Sequence, residues 1–533
     1  MNPPGDSASG ACDPDAIVIG AGPNGLIAAN LLADAGWNVL VLEAQSTPGG
    51  AVRSAELAAP GFVADVCSSC YPLGLASPVI RNLDLEAHGL RWSHAPLALA
   101  HPTPDGCVLV DPSDPGATAA SVDAFARGDG RVWEQLFRRW ERAGPAVVDT
   151  LFSPFPPVRA ATRAARAVGP RDLLGFTRMS LWSLDRIARQ FDGEGGALLL
   201  GGNTAHTDLS MSAATGAMFG WMLACLAQSV GFPVVEGGAG RLTDALVSHL
   251  VAAGGALRFD SPVARVIVRD GKAHGVVIAD GTELRARKAV LADTSAPSLY
   301  FDLVGAEHLP RRILRALRRF RWDHGTVKVD WALTGAIPWI AEPARRAGVV
   351  HVIDSLAALR TATAQLEDGH VPADPFMIVG QTTTADATRS PPGSEAAWAY
   401  THVPQEIRGD AGAPDGDEVT GRWDDADTAR MADRIETQIE RRAPGFRELI
   451  HARHIHTPAS LQALDANLVG GAVGGGTAAL RQQLCFRPTL TLHGGSRTPI
   501  GDLYLASAGA HPGGGVHGAC GANAAHAALR RSG

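Results

Sequence analysis

Two glycine-dense segments stand at opposite ends of the chain, and both are of a kind that brings backbone amides close to an anion. Gly20-Ala21-Gly22-Pro23-Asn24-Gly25 fits G-x-G-x-x-G. Its glycines permit a tight turn and bring up a helix N-terminus, whose unpaired amides and positive dipole end suit a pyrophosphate. Glu43 lies eighteen residues after Gly25, at the end of an apolar run. A carboxylate there accepts both hydroxyls of an adenosine ribose and repels a 2′-phosphate. Near the other end, Gly513, Gly514, Gly515, Gly518 and Gly521 surround the start of a small-residue run and leave more amides bare. His511 adjoins that segment, and Lys328 sits in the alternating run TVKVDWAL. Cys67 and Cys70 form the only C-x-x-C. With no second pair and no histidine at ligand spacing, they read as packing thiols, and no metal site is expected.

The elements that must hold these groups show in the periodicity. Residues 16–20 (AIVIG) fit a short buried strand, residues 24–35 have apolar residues at helical spacing, and Val39–Leu42 makes a second strand, completing one βαβ unit. From Gly254 the pattern becomes short strands, with hairpin signals at Asp270-Gly271 and Asp280-Gly281 and a last strand at Ala289–Ala292. Residues 501–508 read as a further strand and residues 519–529 as a closing helix. Between these lie amphipathic helices over 131–192, alternating strands at 325–335 and 396–403, an acidic loop at 404–428 and an amphipathic helix through Ile439. Residues 209–235 hold no charged residue for 27 positions. Serines, glycines, Gln228 and Pro233 dilute their apolarity, so a buried helix beside a substrate cavity is expected rather than a membrane span.

Composition narrows the class. The chain has 533 residues, 46 % apolar and 19 % charged, with a formal charge of -7. That excludes a disordered polyelectrolyte and gives no global attraction for nucleic acid. The 61 glycines suggest close backbone approach to a large flat cofactor. Seven scattered cysteines and a start without a basic or apolar leader suggest a reducing, cytoplasmic compartment.

The run GAGPNGLIAANLLADAGWNVLVLEAQSTPGGAVRS resembles the amine oxidase and phytoene desaturase superfamily of FAD enzymes. In that superfamily the second glycine pair, here Gly49 and Gly50, and its arginine, here Arg53, hold the flavin side of the diphosphate. GDLYLASAGAHPGGGVHGACGANAAHAAL is similar to the C-terminal flavin motif of phytoene desaturase-like proteins, especially the branch called pyridine nucleotide-disulfide oxidoreductase domain protein 2. PVVEGGAGRLTDAL and YTHVP also look like that branch. The resemblance implies non-covalent FAD held by Gly20, Gly22, Pro23, Asn24, Gly25, Glu43, Ala44, Gly49, Gly50, Arg53, Gly509, Gly515, Val516 and Gly518. Val263 resembles the position whose backbone binds adenine. Asp293 ends the strand that returns beneath the cofactor. The helix from Ala519 would aim its positive end at the flavin pyrimidine carbonyls and stabilise negative charge there. Lys328 resembles a strand lysine that amine oxidases place near flavin N5; the alternative is a lysine facing solvent. His511 either faces the reacting carbon or only orders its loop, and His206 either lines the pocket or sits in the core. His517 stands where phytoene desaturases usually have an apolar residue.

The expected architecture is α/β, a Rossmann-type FAD-binding domain with an inserted α+β substrate domain. Residues 1–95, 229–305 and 481–533 are assigned to the first and residues 96–228 and 306–480 to the second. The expected activity is dehydrogenation or desaturation of a largely apolar substrate by hydride transfer to flavin N5; a flavin-dependent polyene isomerase, an amine oxidase and a flavoprotein acting as a binding partner are the alternatives. Trp182, Phe219 and Trp221 are expected to line an apolar cavity. The segment LPRRILRALRRFRW, residues 309–322, either docks on an anionic membrane with its apolar face down or packs with a solvated arginine face. Glu43→Ala is expected to weaken FAD binding by roughly 1.5 to 3 kcal/mol per lost charge-assisted bond. Equilibrium dialysis after dilution checks it, and full FAD occupancy in the variant would remove Glu43 from the ribose.

Overall fold

The apolar run Ala16–Ile19 becomes the centre of a five-stranded parallel sheet because every one of its residues must be buried. The strand order is Leu503–Leu505, Ala289–Ala292, Ala16–Ile19, Val39–Leu42, Ala256–Arg258. Ala16 stands opposite both Val39 and Ala289. Buried on both sides, such strands are continuously apolar rather than alternating. Helices Pro23–Asp34, Gly240–Ala252 and Ala519–Ser532 cover one face through Leu26, Leu246 and Ala525. The strands Val263–Arg269 and Lys272–Ile278, with the helical segment Ser298–Val304, cover the other. The computed structural model describes residues 13–413 and 416–532.

A second, seven-stranded sheet runs in the order Ile450–His456, Gly325–Leu333, Glu395–Val403, Met377–Gln381, Ala347–Val352, Leu97–Thr103, Gly106–Val110. Its pairings are antiparallel except that between Ala347–Val352 and Leu97–Thr103. Alternation sorts its residues by face. Val329, Trp331, Val379 and Ala399 pack with Met431, Ile435 and Ile439 of the helix Asp425–Glu440. Lys328, opposite both Tyr400 and His456, belongs to the other face, with Trp398, His402 and His351. That face looks toward the parallel-sheet half. A helical layer including Asp129–Phe152, Glu194–Thr204 and Gly216–Val230 packs beside it around Trp133, Trp140 and Trp221.

The chain is thus a mixed α/β protein with a Rossmann-like parallel sheet in one half and a largely antiparallel sheet in the other. Several local expectations need correction. The uncharged stretch is helical only over Gly216–Val230, since Thr215 turns the chain with a φ of 74°. Trp221 is fully buried and donates to the Leu136 carbonyl at 3.0 Å, while Trp182 and Phe219 pack against the same cluster. These aromatics are core, not cavity wall. The C-terminal strand has three residues because only Val290, Leu291 and Ala292 pair with it. The arginine-rich segment forms only a seven-residue helix, Arg311–Leu317. Leu309, Ile313 and Leu317 are buried against the strands that cover the parallel sheet, with the arginines left exposed, which agrees with the packed alternative. Among the described residues, no helix is long and apolar enough to cross a membrane.

The two halves are fastened by a buried ion pair. Arg389 lies 2.8 Å from Asp65, and neither side chain is more than 1 % exposed. Asp65 also accepts from Ser54 Oγ, Ser69 Oγ and the Ala239 amide, and Arg389 Nε donates to the Val63 carbonyl. Removing one partner strands the other charge in a dry interior. Arg389→Met is expected to lower stability by about 3–5 kcal/mol, and the double variant with Asp65→Asn by less. Urea unfolding midpoints check this; a loss under about 1 kcal/mol in the single variant would contradict a fastening role.

Candidate cofactor and substrate site

The first glycine turn is shaped for backbone contact rather than side chains. Gly22 precedes Pro23 at the start of the helix Pro23–Asp34, and no side chain caps that helix. A Cβ at Gly25 would overlap the Gly20 carbonyl oxygen, so strand and helix approach closely only because it is absent. Glu43 reaches back across the turn: Oε2 accepts from the Ala21 amide at 2.7 Å and Oε1 from the Gln45 amide at 2.9 Å. Ala44 follows it at the same strand end. Gly49, at a φ of 115°, donates its amide to the Ala21 carbonyl at 2.8 Å. Gly50 lies against Gly22, and Arg53 braces the loop through the Gly50 and Leu464 carbonyls. Val263 opens its strand two residues after Ser261, whose amide donates to the Glu43 carbonyl at 2.8 Å. The residues expected to hold a dinucleotide therefore gather at the carboxyl ends of Ala16–Ile19 and Val39–Leu42.

Asp293 is closer to this turn than its sequence position suggests. Its Oδ2 accepts from the Gly25 amide at 2.8 Å, and a Cβ on Gly22 would come within 2.7 Å of the same oxygen. Burial lifts its pKa to about 7 against the pull of the Gly25 amide, and Asp465 and Glu43 push in the same direction as burial. Asn467 secures the segment, accepting from the Ser295 amide and donating to the Asp293 carbonyl. Asp465 and Asn467 carry no glycine or strand signal, and nothing in the sequence pointed to them.

The C-terminal motif arrives at the same place. Cβ atoms added at Gly521 and Gly518 would overlap the Asn24 carbonyl and the Ile27 side chain. The helix Ala519–Ser532 thus crosses the first turn of Pro23–Asp34 with no side chain between them. Gly515 and Gly518 have φ values of 107° and 72°, and Gly509 and Val516 lie in the same loop. His517 orders the helix start, its Nδ1 accepting from the Ala519 amide at 3.1 Å. Arg487 lies beneath Gly513, wholly buried and bonded to backbone carbonyls including those of Ala508, Gly474 and Gly475.

The two catalytic candidates sit on different walls. Lys328 is 3 % exposed and donates to the Asp65 carbonyl at 2.9 Å while pairing with Asp330, so the solvent-facing alternative is excluded. His511 is 2 % exposed, its ring meeting Phe155 edge-on at 5.8 Å, and neither ring nitrogen has a hydrogen-bond partner. Burial, with the charge of Arg487, pushes it down to about 4. His206 neither sits alone in the core nor faces open space: its Nε2 meets His351 Nε2 at 2.9 Å. His456 stands opposite Lys328 on the neighbouring strand, its place set by the alternation of IHARHIH. Burial pushes Cys67 up to about 11 and Cys70 up to about 12, so both stay protonated thiols. Among the described residues no group of three or more His, Cys, Asp or Glu is placed to hold a metal.

Residues 18–83 match a family described as an NAD(P)-binding Rossmann-like domain. The chain is 28 % identical to a pyridine nucleotide-disulfide oxidoreductase domain-containing protein 2 from Mus musculus, covering 97 % of this chain and 93 % of that protein. It is 25 % identical to a neurosporene-forming phytoene desaturase from Rhodobacter capsulatus, covering 94 % and 91 %. Putrescine oxidase bound to putrescine superposes with a TM-score of 0.60 at 15 % identity over 97 % of this chain and 99 % of that one, a likeness of fold. With the dinucleotide turn in the matched segment, the chain is similar along nearly its whole length to a pyridine nucleotide-disulfide oxidoreductase domain-containing protein and to a phytoene desaturase, and it shares its fold with putrescine oxidase.

Proposed function

We propose that the protein is an FAD-dependent oxidoreductase that dehydrogenates a largely apolar substrate, with the FAD held non-covalently. One observation carries this reading: glycine motifs from opposite ends of the chain converge on one helix N-terminus, leaving backbone amides where side chains would collide. The residues fit such a cofactor, since the buried Asn24 Oδ1, Thr294 Oγ1 and Asn523 Nδ2 near this junction lack partners. FAD bound there supplies a hydride acceptor.

The chain's own groups do the rest. Glu43 would accept the ribose hydroxyls, and the Gly22 and Asn24 amides, at the start of Pro23–Asp34, would take the diphosphate. The amides from Gly515 to Gly518, with the N-terminal end of the Ala519–Ser532 helix, would hold the flavin end of the cofactor and favour negative charge there. Lys328, fixed by the Asp65 carbonyl and by Asp330, stands beside Cys67 on the substrate side. His511, neutral at physiological pH, offers a lone pair for a proton. Trp398 and Tyr400 keep water from that face. Cys520 is buried, donates to the Ala510 and Gly513 carbonyls and is pushed up to about 12, which supports a cofactor without a thioether link.

Purified protein is expected to be yellow and to release FAD on denaturation; a colourless chain that cannot be reconstituted would contradict the reading. Asp293 adds a pH test. With a pKa of about 7 it is protonated below neutrality and charged above, where it opposes the diphosphate. FAD affinity should fall about tenfold as pH rises from about 6 to about 8, and Asp293→Asn should flatten that dependence. Equal slopes in wild type and variant, measured by fluorescence titration, would show that Asp293 does not face the diphosphate.

A further inference from the structure

His456 is a buried imidazole that no described residue satisfies. It is 3 % exposed, and neither ring nitrogen has a hydrogen-bond partner. Leaving a donor and an acceptor unmet in a dry interior is costly, and phenylalanine or leucine would fill the place without that cost. The chain fixes the ring from both directions. On one side the strand Ile450–His456 sets it opposite Lys328 of Gly325–Leu333, on the sheet face that looks toward the parallel-sheet half. On the other, Thr457 caps the helix Pro458–Leu464, its side chain accepting from the Ser460 amide and its own amide donating to Ser460 Oγ. That helix carries the chain to the glycine turn, where the Leu464 carbonyl accepts from Arg53 and Asp465 lies against Gly50. His456 is therefore held where the sheet meets the loop expected to hold the flavin.

The groups around the ring set what it can receive. Burial, followed by the charges of Lys328, His454 and Arg53, pushes it down to about 3, so at neutral pH it carries one N–H and one lone pair. Cys67 feels the charges of the same Lys328 and Arg53, so these four residues form one group. Lys328 spends two of its three N–H groups, on the Asp65 carbonyl and on Asp330. Arg53 donates from Nε and Nη2, and its Nη1 makes no hydrogen bond among the described residues. What the group has left to offer is donors. Unspent donors suit a ligand edge rich in acceptors, and suit it better as that edge gains electrons.

We propose that His456 donates its N–H to the bound flavin and stabilises it in the reduced state. This rests on the flavoenzyme reading above and adds to it a residue that sets how readily the cofactor takes a hydride. A donor aimed at a ring that gains negative charge binds the reduced form more tightly than the oxidised one, and by linkage it raises the midpoint potential. No proton moves from His456, and no covalent bond to the flavin forms.

The test is the midpoint potential of the full-length, FAD-loaded protein, measured during slow reduction by xanthine and xanthine oxidase beside an indicator dye. His456→Phe keeps a ring and removes the donor. It is expected to retain its FAD and to lose about tenfold of its preference for reduced over oxidised flavin, which lowers the potential by about 30 mV for a two-electron couple. His456→Gln returns an N–H and should recover most of that shift. His456→Leu, with a smaller side chain, repeats the donor-free measurement in case the phenyl ring displaces the flavin. An unchanged or raised potential in a donor-free variant that keeps its FAD, an equal fall in His456→Gln, or loss of FAD from all three variants would each overturn the proposal. A wild-type chain that holds no FAD would instead contradict the flavoenzyme reading, so the two failures are distinguishable.

Discussion

The structure depends on two helices meeting at their N-terminal ends with no side chains between them. At Gly25 the helix approaches the strand it follows, and at Gly521 a helix from the far end of the chain approaches Asn24. Neither contact tolerates a Cβ. The parallel sheet exists to hold this junction: its strands come from the first, middle and last parts of the chain, and all run the same way, so their carboxyl ends share one edge. Ligand sites in such sheets form at that edge because helix amides and loops collect there.

Charge divides the molecule into two environments. At the glycine turn the buried Glu43 and Asp293 crowd together with the half-buried Asp465, and desolvation raises Asp293 and Asp465 above the usual carboxylate range. Amide donors offset that crowding at Glu43 and Asp293. On the substrate side the pattern reverses. His351, His402, His456 and His511 are buried and pushed down, so the wall there is built from neutral imidazoles, with Lys328 paired to Asp330 as its fixed charge. The first environment suits a cofactor that brings hydroxyls to the carboxylates, and the second a substrate that is mostly uncharged.

What the sequence disclosed follows from how local each signal is. The turn at Gly20 to Gly25, the Glu43 strand end and the meander hairpins are set by neighbours a few residues apart, and they stand where the spacing put them. Glycine counts also flagged Gly513 to Gly521 correctly as a place of close backbone approach. Contacts made across long separations left no such trace. Asn467 reaches Asp293 across 174 residues of sequence, and Asp465 comes up against Gly50 from the same distant loop. The uncharged stretch around Trp221 misled for a related reason: apolarity shows that a segment is buried but not whether it faces a core or a cavity.

The central claim is that both glycine motifs form a single cofactor site. The most direct measurement is FAD bound per chain in Gly521→Ala, read from flavin absorbance after gel filtration, with a melting curve to show that the fold persists. A methyl group there collides with the Asn24 carbonyl and pushes the C-terminal helix away from the first glycine turn. The account calls for a folded chain that has lost most of its FAD. A folded Gly521→Ala chain that retains a full complement of FAD would contradict it.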